Sequence, residues 1–252
     1  MNALPNMTPA QRQARVAYKQ GIILRFLREE IYSTAPVLAT LLGLSERQTR
    51  QTLDSMQRSE LLTSKYLATY SGWAPTLWGI TPHGQAMACE AGQFPAEKHF
   101  LPARVPLSIL RHTLGLQRLR AQAMHAGWTD WQSGDRMAEF EAESRPDAVA
   151  SDARGVRWCV EYERTMKTRT RYQRILFTRL RAIKAGAYAQ VVWVCDTQHA
   201  AGLLRGMLLS LDNFEIKHAG GKQRVVVDPS RHHPLLHFTS IDQFPNLPTQ
   251  GE

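Results

Sequence analysis

Three carboxylates near the middle of the chain have the types and spacing to hold a divalent cation. Asp147 follows Pro146, and Glu161 and Glu163 are one residue apart in Val156 to Glu163, which reads as a buried strand. Side chains alternate along a strand, so the two glutamates point to the same face, about 7 Å apart. Carboxylates that close resist ionising unless a cation lies between or beside them. The spacing therefore favours a metal site.

A β-hairpin is expected to bring the third carboxylate to this pair. Strands at 147–151 and 156–163 are joined by a turn at 152–155, which places Asp147 opposite Glu161. Three carboxylates at one sheet end supply the hard oxygen ligands that Mg²⁺ or Mn²⁺ prefers, and such an ion can activate water and neutralise a phosphodiester. The alternative is an edge strand whose glutamates pair with arginines of the next helix.

The segment after the glutamates favours a substrate that carries phosphate. Between Arg164 and Lys184 there are eight basic residues and no acidic one. The basic side chains expected to contact DNA are Arg164, Lys167, Arg171, Arg174 and Arg181. The last four share a helical face, and Leu176, Leu180 and Ile183 cover the core side. A basic stripe beside carboxylates fits a nucleic-acid backbone, and the alternative is a solvated charged helix.

These residues belong to a predicted mixed α/β domain at 107–252. The order helix, three strands, helix, strand implies one crossover helix that brings Gln190 to Cys195 back parallel to its predecessor. Residues 92–106 contain three prolines and are expected to form a linker.

The first 91 residues predict a winged helix that binds DNA. A helix at 17–32 precedes two helices joined by Gly43-Leu44-Ser45, and then come two strands and a short helix opened by Thr81-Pro82-His83-Gly84. The third helix carries Arg47, Gln48, Arg50 and Gln51 near its N-terminus, where a recognition helix contacts base edges. A docking or dimerisation module is the alternative.

Composition agrees with a DNA-binding protein. The net charge is +9 and the pI about 9.8, which favours a polyanionic partner. Three scattered cysteines do not suggest disulfides or zinc, and Cys159 and Cys195 read as small apolar strand residues. No apolar run is long enough for a membrane span and no secretory signal is apparent, so a cytoplasmic location is expected.

The pattern of a carboxylate, a turn and Glu-x-Glu resembles the PD-(D/E)xK nuclease superfamily over roughly residues 105–200. Pro146-Asp147 matches the PD element, and Glu161-Tyr162-Glu163 matches the (D/E)xK strand with Glu163 at the usual lysine position. Some restriction enzymes of the superfamily also carry Glu there, so the resemblance implies that metal binding is retained and that Lys167 takes the role of the lysine.

A winged helix before such a domain resembles the replication-relaxation family and the MobC-type relaxases of mobilisable plasmids. This implies a nickase that cuts one strand at a transfer origin, with Asp147, Glu161 and Glu163 as metal ligands and catalytic groups. Lys167 would position phosphate or water. The implied partners are duplex and locally melted plasmid DNA, a mobilisation accessory protein and a coupling protein.

Several alternatives stay open at this point. The domain could have lost catalysis and serve a plasmid replication or transcription regulator, or it could belong to a transposase subunit or restriction nuclease. Tyr172, on the basic helix, could approach the site and hold a cut DNA end, although a metal-water mechanism does not need it. The oligomeric state, including a dimer, is also open.

Overall fold

The computed structural model describes residues 7–68, 72–89, 92, 94, 96–137, 145–218 and 221–247. The chain forms two compact units, Met1–Ala121 and Gln122–Glu252. This division lies later than the linker expected at 92–106. The reason is that Phe100, Val105, Leu110 and Leu114 pack with Leu77 in one apolar cluster, which ties this segment to the first unit.

The first unit has the element order of a winged helix. Its elements are α1 (Pro9–Glu30), β1 (Tyr32–Thr34), α2 (Ala35–Leu42), α3 (Glu46–Arg58), β2 (Leu62–Tyr66), β3 (Thr76–Ile80), α4 (Pro82–Met87) and α5 (Leu110–His125), whose last turn passes into the second unit. The strands form an antiparallel sheet in the order β1-β3-β2. Helix α1 starts earlier than expected because Thr8 and Gln11 form a capping box and Pro9 fits the first turn.

The turn between α2 and α3 has the chemistry that the sequence predicts. Gly43 adopts the left-handed conformation, with φ of 61°, and ends α2. Ser45 then caps α3 and forms a reciprocal capping box with Gln48. Helix α3 ends at Arg58, and the next backbone turn places Glu60 at φ of 58°. The helix-turn-helix is therefore defined by local residues.

The second unit is a mixed sheet with helices. Its elements are β4 (Thr129–Ser133), β5 (Ala148–Ser151), β6 (Arg157–Glu163), α6 (Arg169–Lys184), β7 (Gln190–Cys195), α7 (Gln198–Leu209), β8 (Asn213–His218), β9 (Gly221–Val226), α8 (Pro229–His232) and β10 (Leu236–Ser240). The main sheet has the order β10-β7-β6-β5-β4, and β8 and β9 pair separately. Strands β6, β7 and β10 are parallel, as the crossover helix predicts.

The position of β6 in this sheet corrects one of the sequence-based alternatives. It has β5 on one side and β7 on the other, so it is the central strand and not an edge strand. One face of the sheet packs on α6 and α7. The apolar core between this face and the two helices includes Cys159, Val191, Trp193 and Cys195 of the sheet, Tyr172 and Leu176 of α6, and Ala201, Leu204 and Leu208 of α7. Both strand cysteines are buried, as expected.

Candidate functional site

The hairpin of β5 and β6 has the register that the sequence predicts. Ala148 pairs with Val160, so the preceding Asp147 lies opposite Glu161. The backbone N–H of Tyr162 donates a hydrogen bond to Oδ2 of Asp147 at 2.8 Å. The aspartate side chain thus continues the backbone ladder and is fixed against the same end of β6 that carries the glutamates.

Gly134, in the turn after β4, helps to place Asp147, and sequence reasoning did not find it. Its N–H donates to the carbonyl oxygen of Asp147 at 2.8 Å. A Cβ at Gly134 would lie 2.0 Å from the carbonyl oxygen of Pro146, which is closer than real Cβ contacts come. Only glycine fits this approach without moving the Pro146-Asp147 segment. The available signal was the isolated glycine at the end of a strand.

The two glutamates lie on the helix-covered face of the sheet. Cys159 belongs to the core packed on α6, and alternation along β6 puts Glu161 and Glu163 on that same face. They follow the cysteine toward the carboxyl end of β6, next to Trp193 and Cys195 of the parallel strand β7. Ligands of open α/β sheets bind outside the carboxyl ends of parallel strands, so this is the expected end for a site.

Glu161 is neutralised by a buried arginine of the next helix. Nε of Arg179 donates to Oε1 of Glu161 at 2.6 Å, and the Arg179 side chain is only 4% exposed. Its NH2 group also donates to the carbonyl oxygen of Arg145. Burial raises the pKa of Glu161; Arg179 opposes this rise and the charge of Asp147 adds to it. The alternative pairing with a helix arginine is therefore present at this glutamate.

Sequence reasoning counted Arg179 among the basic residues of α6 but gave it no role. Tyr172, Leu176, Arg179 and Ile183 follow one another at steps of four, three and four, so Arg179 lies within the apolar stripe of the helix. Burial by itself would lower the pKa of Arg179, but the charge and hydrogen bond of Glu161, together with Cys159 and Tyr188, raise it above its ordinary value. A single basic residue in an apolar stripe was the signal for this partnership.

Glu163 is held by Lys167, the residue expected to replace the missing lysine. Nζ of Lys167 donates to both carboxylate oxygens of Glu163, and the Lys167 side chain is 27% exposed. Lys167 precedes α6, which begins at Arg169 after the N-cap Thr168, so the prediction that it lies on the helix is wrong. Its charge also lowers the pKa of Glu161, as a smaller contribution than burial and Arg179. Lys167 thus contacts Glu163 directly and acts on Glu161 only through its charge.

Tyr172 approaches this group, as the sequence allowed. Its hydroxyl oxygen accepts a hydrogen bond from the backbone N–H of Lys167 at 3.2 Å, and the side chain is fully buried. Burial raises the pKa of Tyr172, and the charge of Glu163 adds to the rise. The phenol therefore stays protonated, and a protonated phenol is a poor nucleophile. Its hydrogen bond instead orders the segment before α6.

The oxygen donors fit a metal with few protein ligands. Among the residues that the structure describes, no group of three His, Cys, Asp or Glu side chains is arranged to hold an ion, so the expected three-carboxylate cage is not found there. Mg²⁺ is commonly bound through one or two carboxylates together with waters and substrate phosphates. Asp147 and Glu161, which face each other across the hairpin and interact electrostatically, match that donor set.

The remaining basic residues of this segment divide by exposure. Arg171, Arg174 and Arg181 are exposed on α6, and Arg164 is half-buried. Leu176, Leu180 and Ile183 pack on the core side, as predicted. A surface of exposed arginines on α6 therefore exists, whereas Lys167 and Arg179 are used by the two glutamates.

The predicted recognition residues on α3 also divide into two kinds. All four are exposed, but Gln48 accepts hydrogen bonds from the backbone N–H and hydroxyl of Ser45, and Arg50 pairs with Glu46. Arg47 and Gln51 lie on the exposed side of the helix. Gln48 and Arg50 thus help to stabilise α3 itself, and contact of Arg47 and Gln51 with base edges stays a prediction.

The first unit is thus a helix-turn-helix with a wing, and the second is a mixed α/β unit in which carboxylates lie at the carboxyl end of β6. The family model described as Replication-relaxation matches residues 24–208. The chain therefore belongs to the replication-relaxation family. Membership of this family indicates a role in plasmid replication or relaxation and an interaction with DNA.

Other comparisons add little to this assignment. No curated protein matches the chain. A solved structure of Lactococcus lactis ZitR, a mutant in the apo form, is 28% identical over 31% of this chain, with a TM-score of 0.26. The match spans 58% of the ZitR chain. Within the described part of the chain, no helix has the length and apolar character needed to cross a membrane.

Proposed function

We propose that this protein binds plasmid DNA through its winged helix and nicks one strand at the carboxylate site to start mobilisation. The observation that carries this proposal is the convergence of Asp147, Glu161 and Lys167 at the carboxyl end of β6. Asp147 lies opposite Glu161 by the hairpin register, and Lys167 returns to the same end through its contact with Glu163. Two carboxylates and a lysine are the groups of a PD-(D/E)xK site, with the lysine supplied from further along the chain.

The residues of the chain have distinct parts in this proposal. Asp147 and Glu161 would hold Mg²⁺ or Mn²⁺, which supplies Lewis acidity and lowers the pKa of a bound water. Glu163 orients the ammonium of Lys167, so that this charge lies where a scissile phosphate would carry negative charge. Both carboxylate oxygens of Glu163 accept hydrogen bonds from Lys167 and are therefore already engaged. A role for Glu163 as a third metal ligand stays a prediction from the sequence.

The exposed arginines of α6 would hold the DNA backbone. Arg171, Arg174 and Arg181 lie on the helix that follows the site strand, and Arg164 lies directly after that strand. Arginine forms paired hydrogen bonds with phosphate and fixes register without reading sequence. Base recognition would then come from α3, chiefly from Arg47 and Gln51. Mobilisation accessory and coupling proteins, and a dimer, belong to the same proposal through the family resemblance.

The experiment is conversion of origin-bearing supercoiled plasmid to open circles with Mg²⁺ or Mn²⁺ present or removed by a chelator. We expect one nick position with metal, none after chelation, and loss in Asp147→Asn, Glu161→Gln and Lys167→Ala. Asp212→Asn and Lys184→Ala, exposed residues of the same unit, serve as matched controls. Equal nicking by wild type, Asp147→Asn and Glu161→Gln would remove the carboxylate site from the reaction.

A second candidate function is a non-catalytic DNA-binding regulator. The observation that favours it is that both glutamates are neutralised by cations of the chain, Glu161 by Arg179 and Glu163 by Lys167. Such ion pairs satisfy the carboxylates without metal. This candidate predicts site-specific binding and intact supercoils under Mg²⁺, Mn²⁺ or other divalent metals, so a single mapped nick would rule it out.

A further inference from the structure

The N-terminal half of α1 extends beyond the core of the first unit. All residues from Pro9 to Tyr18 are exposed, whereas Ile23 and Phe26 are buried further along the same helix. At 1.5 Å per residue the exposed part is about 15 Å long. The capping box at Thr8 secures its first turn. This part of α1 is well capped yet exposed along its whole length among the residues that the structure describes, so its surface can contact another molecule.

The face that this segment presents is basic. Arg12, Arg15 and Lys19 follow one another at steps of three and four and lead into the buried Ile23 and Phe26. The apolar residues that pack the second half of α1 on the core and the three basic residues of its first half thus lie on the same side of the helix. The chain has no acidic residue before Glu29. Charge complementarity therefore favours a polyanion along this face.

This basic face lies beside the recognition helix. Nζ of Lys19 donates to the hydroxyl oxygen of Thr52 on α3 at 3.5 Å. Thr52 is one turn after Gln48 and donates to the Gln48 carbonyl at 3.3 Å. The contact fixes which side of α1 is turned toward α3. Arg15 and Arg12 are successive turns further out on that same side.

A protein partner fits this surface less well. Val16 and Tyr18 are the exposed large apolar residues of the segment, at 41% and 68%. They are two residues apart, about 200° around the helix, so they do not form one apolar stripe. The basic stripe is continuous and the apolar residues are separate.

We propose that Arg12, Arg15 and Lys19 form a phosphate-binding extension of the DNA interface, next to the groove in which α3 lies. The extension rests on the proposed DNA binding of α3 and lengthens the contact along one duplex flank. Arg12, whose Nε donates to the Met7 carbonyl at 3.2 Å, keeps its other guanidinium nitrogens for phosphate. These contacts add affinity and salt dependence without reading sequence.

The test is the salt dependence of binding to a fluorescein-labelled mixed-sequence duplex of three helical turns, followed by anisotropy with the full chain. Each phosphate contact contributes about 0.9 to the slope of log affinity against log salt concentration. We expect Arg12→Gln/Arg15→Gln to lower that slope by about 2 and to weaken binding roughly tenfold or more at low salt. Arg25→Gln removes one charge from another, exposed face of the same helix and should leave the slope unchanged.

The outcomes separate this inference from the function on which it rests. Wild-type duplex binding whose salt slope is unchanged in Arg12→Gln/Arg15→Gln would overturn the extension, and it would leave the proposed function intact. Absence of duplex binding by the wild type would overturn both. If Arg12→Gln/Arg15→Gln instead changes the mass in light scattering while the DNA slope is unchanged, the face joins two copies and the extension is wrong.

Discussion

The charges of Glu161 and Arg179 are removed from water together, and each is the other's partner. A buried ion pair contributes little compared with apolar residues of similar volume, but removal of one partner leaves an uncompensated charge in the core. Each side chain therefore needs the other as its partner, and the pair links α6 to β6. Loss of either side chain alone should lower the free energy of unfolding of the second unit.

Arg179→Met should lower the free energy of unfolding by about 3–5 kcal/mol, because the carboxylate of Glu161 stays buried without its cation. The double substitution Glu161→Leu/Arg179→Met should restore most of that loss. Urea unfolding followed by circular dichroism measures both. Lys222→Met, which breaks the exposed pair with Glu215 at 3.7 Å, should cost less than about 1 kcal/mol. An equally small cost at Arg179 would show that the pair is not structurally required.

Asp152 holds the hairpin turn and makes its stability depend on pH. Its carboxylate accepts from the backbone N–H groups of Arg154 and Val156, both at 2.9 Å, and from Nε1 of Trp158 at 3.2 Å. Burial raises the pKa of Asp152, but these donors and the Arg154 side chain lower it to below its ordinary value of 3.8. Stability from this carboxylate is complete above that value and is lost as the pH falls through the lower, folded-state pKa.

Asp152→Asn should therefore cost about 1–3 kcal/mol at neutral pH, because an amide NH2 replaces an oxygen that faces donors. The difference from wild type should shrink as the pH falls below 3.8, where the wild-type carboxylate also becomes protonated. Urea unfolding at a series of pH values checks this. The exposed Asp135→Asn is the control. A difference that stays constant into acid would contradict the assignment.

At the scale of elements, the turn after β4 controls where β5 begins. Gly134→Ala would place a methyl group 2.0 Å from the Pro146 carbonyl oxygen, so the segment that carries Asp147 must move. We expect plasmid nicking to fall at least about tenfold, since a displacement near 1 Å costs about a hundredfold in catalysis. Gly202→Ala in α7, where a Cβ meets nothing within 4 Å, should nick like the wild type. Full activity in Gly134→Ala would mean that Asp147 tolerates displacement.

Helix α3 separates residues that stabilise it from residues that face outward. Gln48→Ala removes half of the capping box with Ser45 and should lower the melting temperature of the first unit with little change in base discrimination. Arg47→Ala should leave the melting temperature unchanged and weaken recognition of the preferred site by about 1–3 kcal/mol. Thermal melts and competition binding with mutated duplexes distinguish them. Loss of discrimination in Gln48→Ala alone would reverse the assignment.

At the scale of the whole molecule, the proposed function puts DNA recognition and strand cleavage in different compact units. Asp147→Asn should therefore abolish nicking yet keep plasmid affinity within about twofold of wild type, because DNA binding comes mainly from phosphate contacts elsewhere. Arg47→Ala should nick slowly at limiting protein and recover when protein is in excess. Gel-shift and nicking assays on the same plasmid measure both. If Asp147→Asn lost plasmid affinity as strongly as nicking, the carboxylate would contribute to DNA binding and not to cleavage alone.

Much of the fold follows from patterns along single elements. Gly43 and Ser45 mark the helix-turn-helix, and the turn at 152–155 fixes a register that puts Asp147 opposite Glu161. The apolar run at 190–195 predicts a parallel strand, which is present. These features depend on residues close together in sequence, so spacing alone determines them.

The tertiary structure decided what those residues contact. The partners of Glu161 and Glu163 depend on how α6 and the segment before it pack on the sheet. This packing brings Arg179 against Glu161 and Lys167 against Glu163. The need for glycine at 134 likewise arises from the backbone of Pro146, which the fold brings against it just before β5. The sequence by itself determined the elements and the carboxylate register; the electrostatic partners were decided only when the elements packed, because a buried charge takes the partner that folding brings within reach.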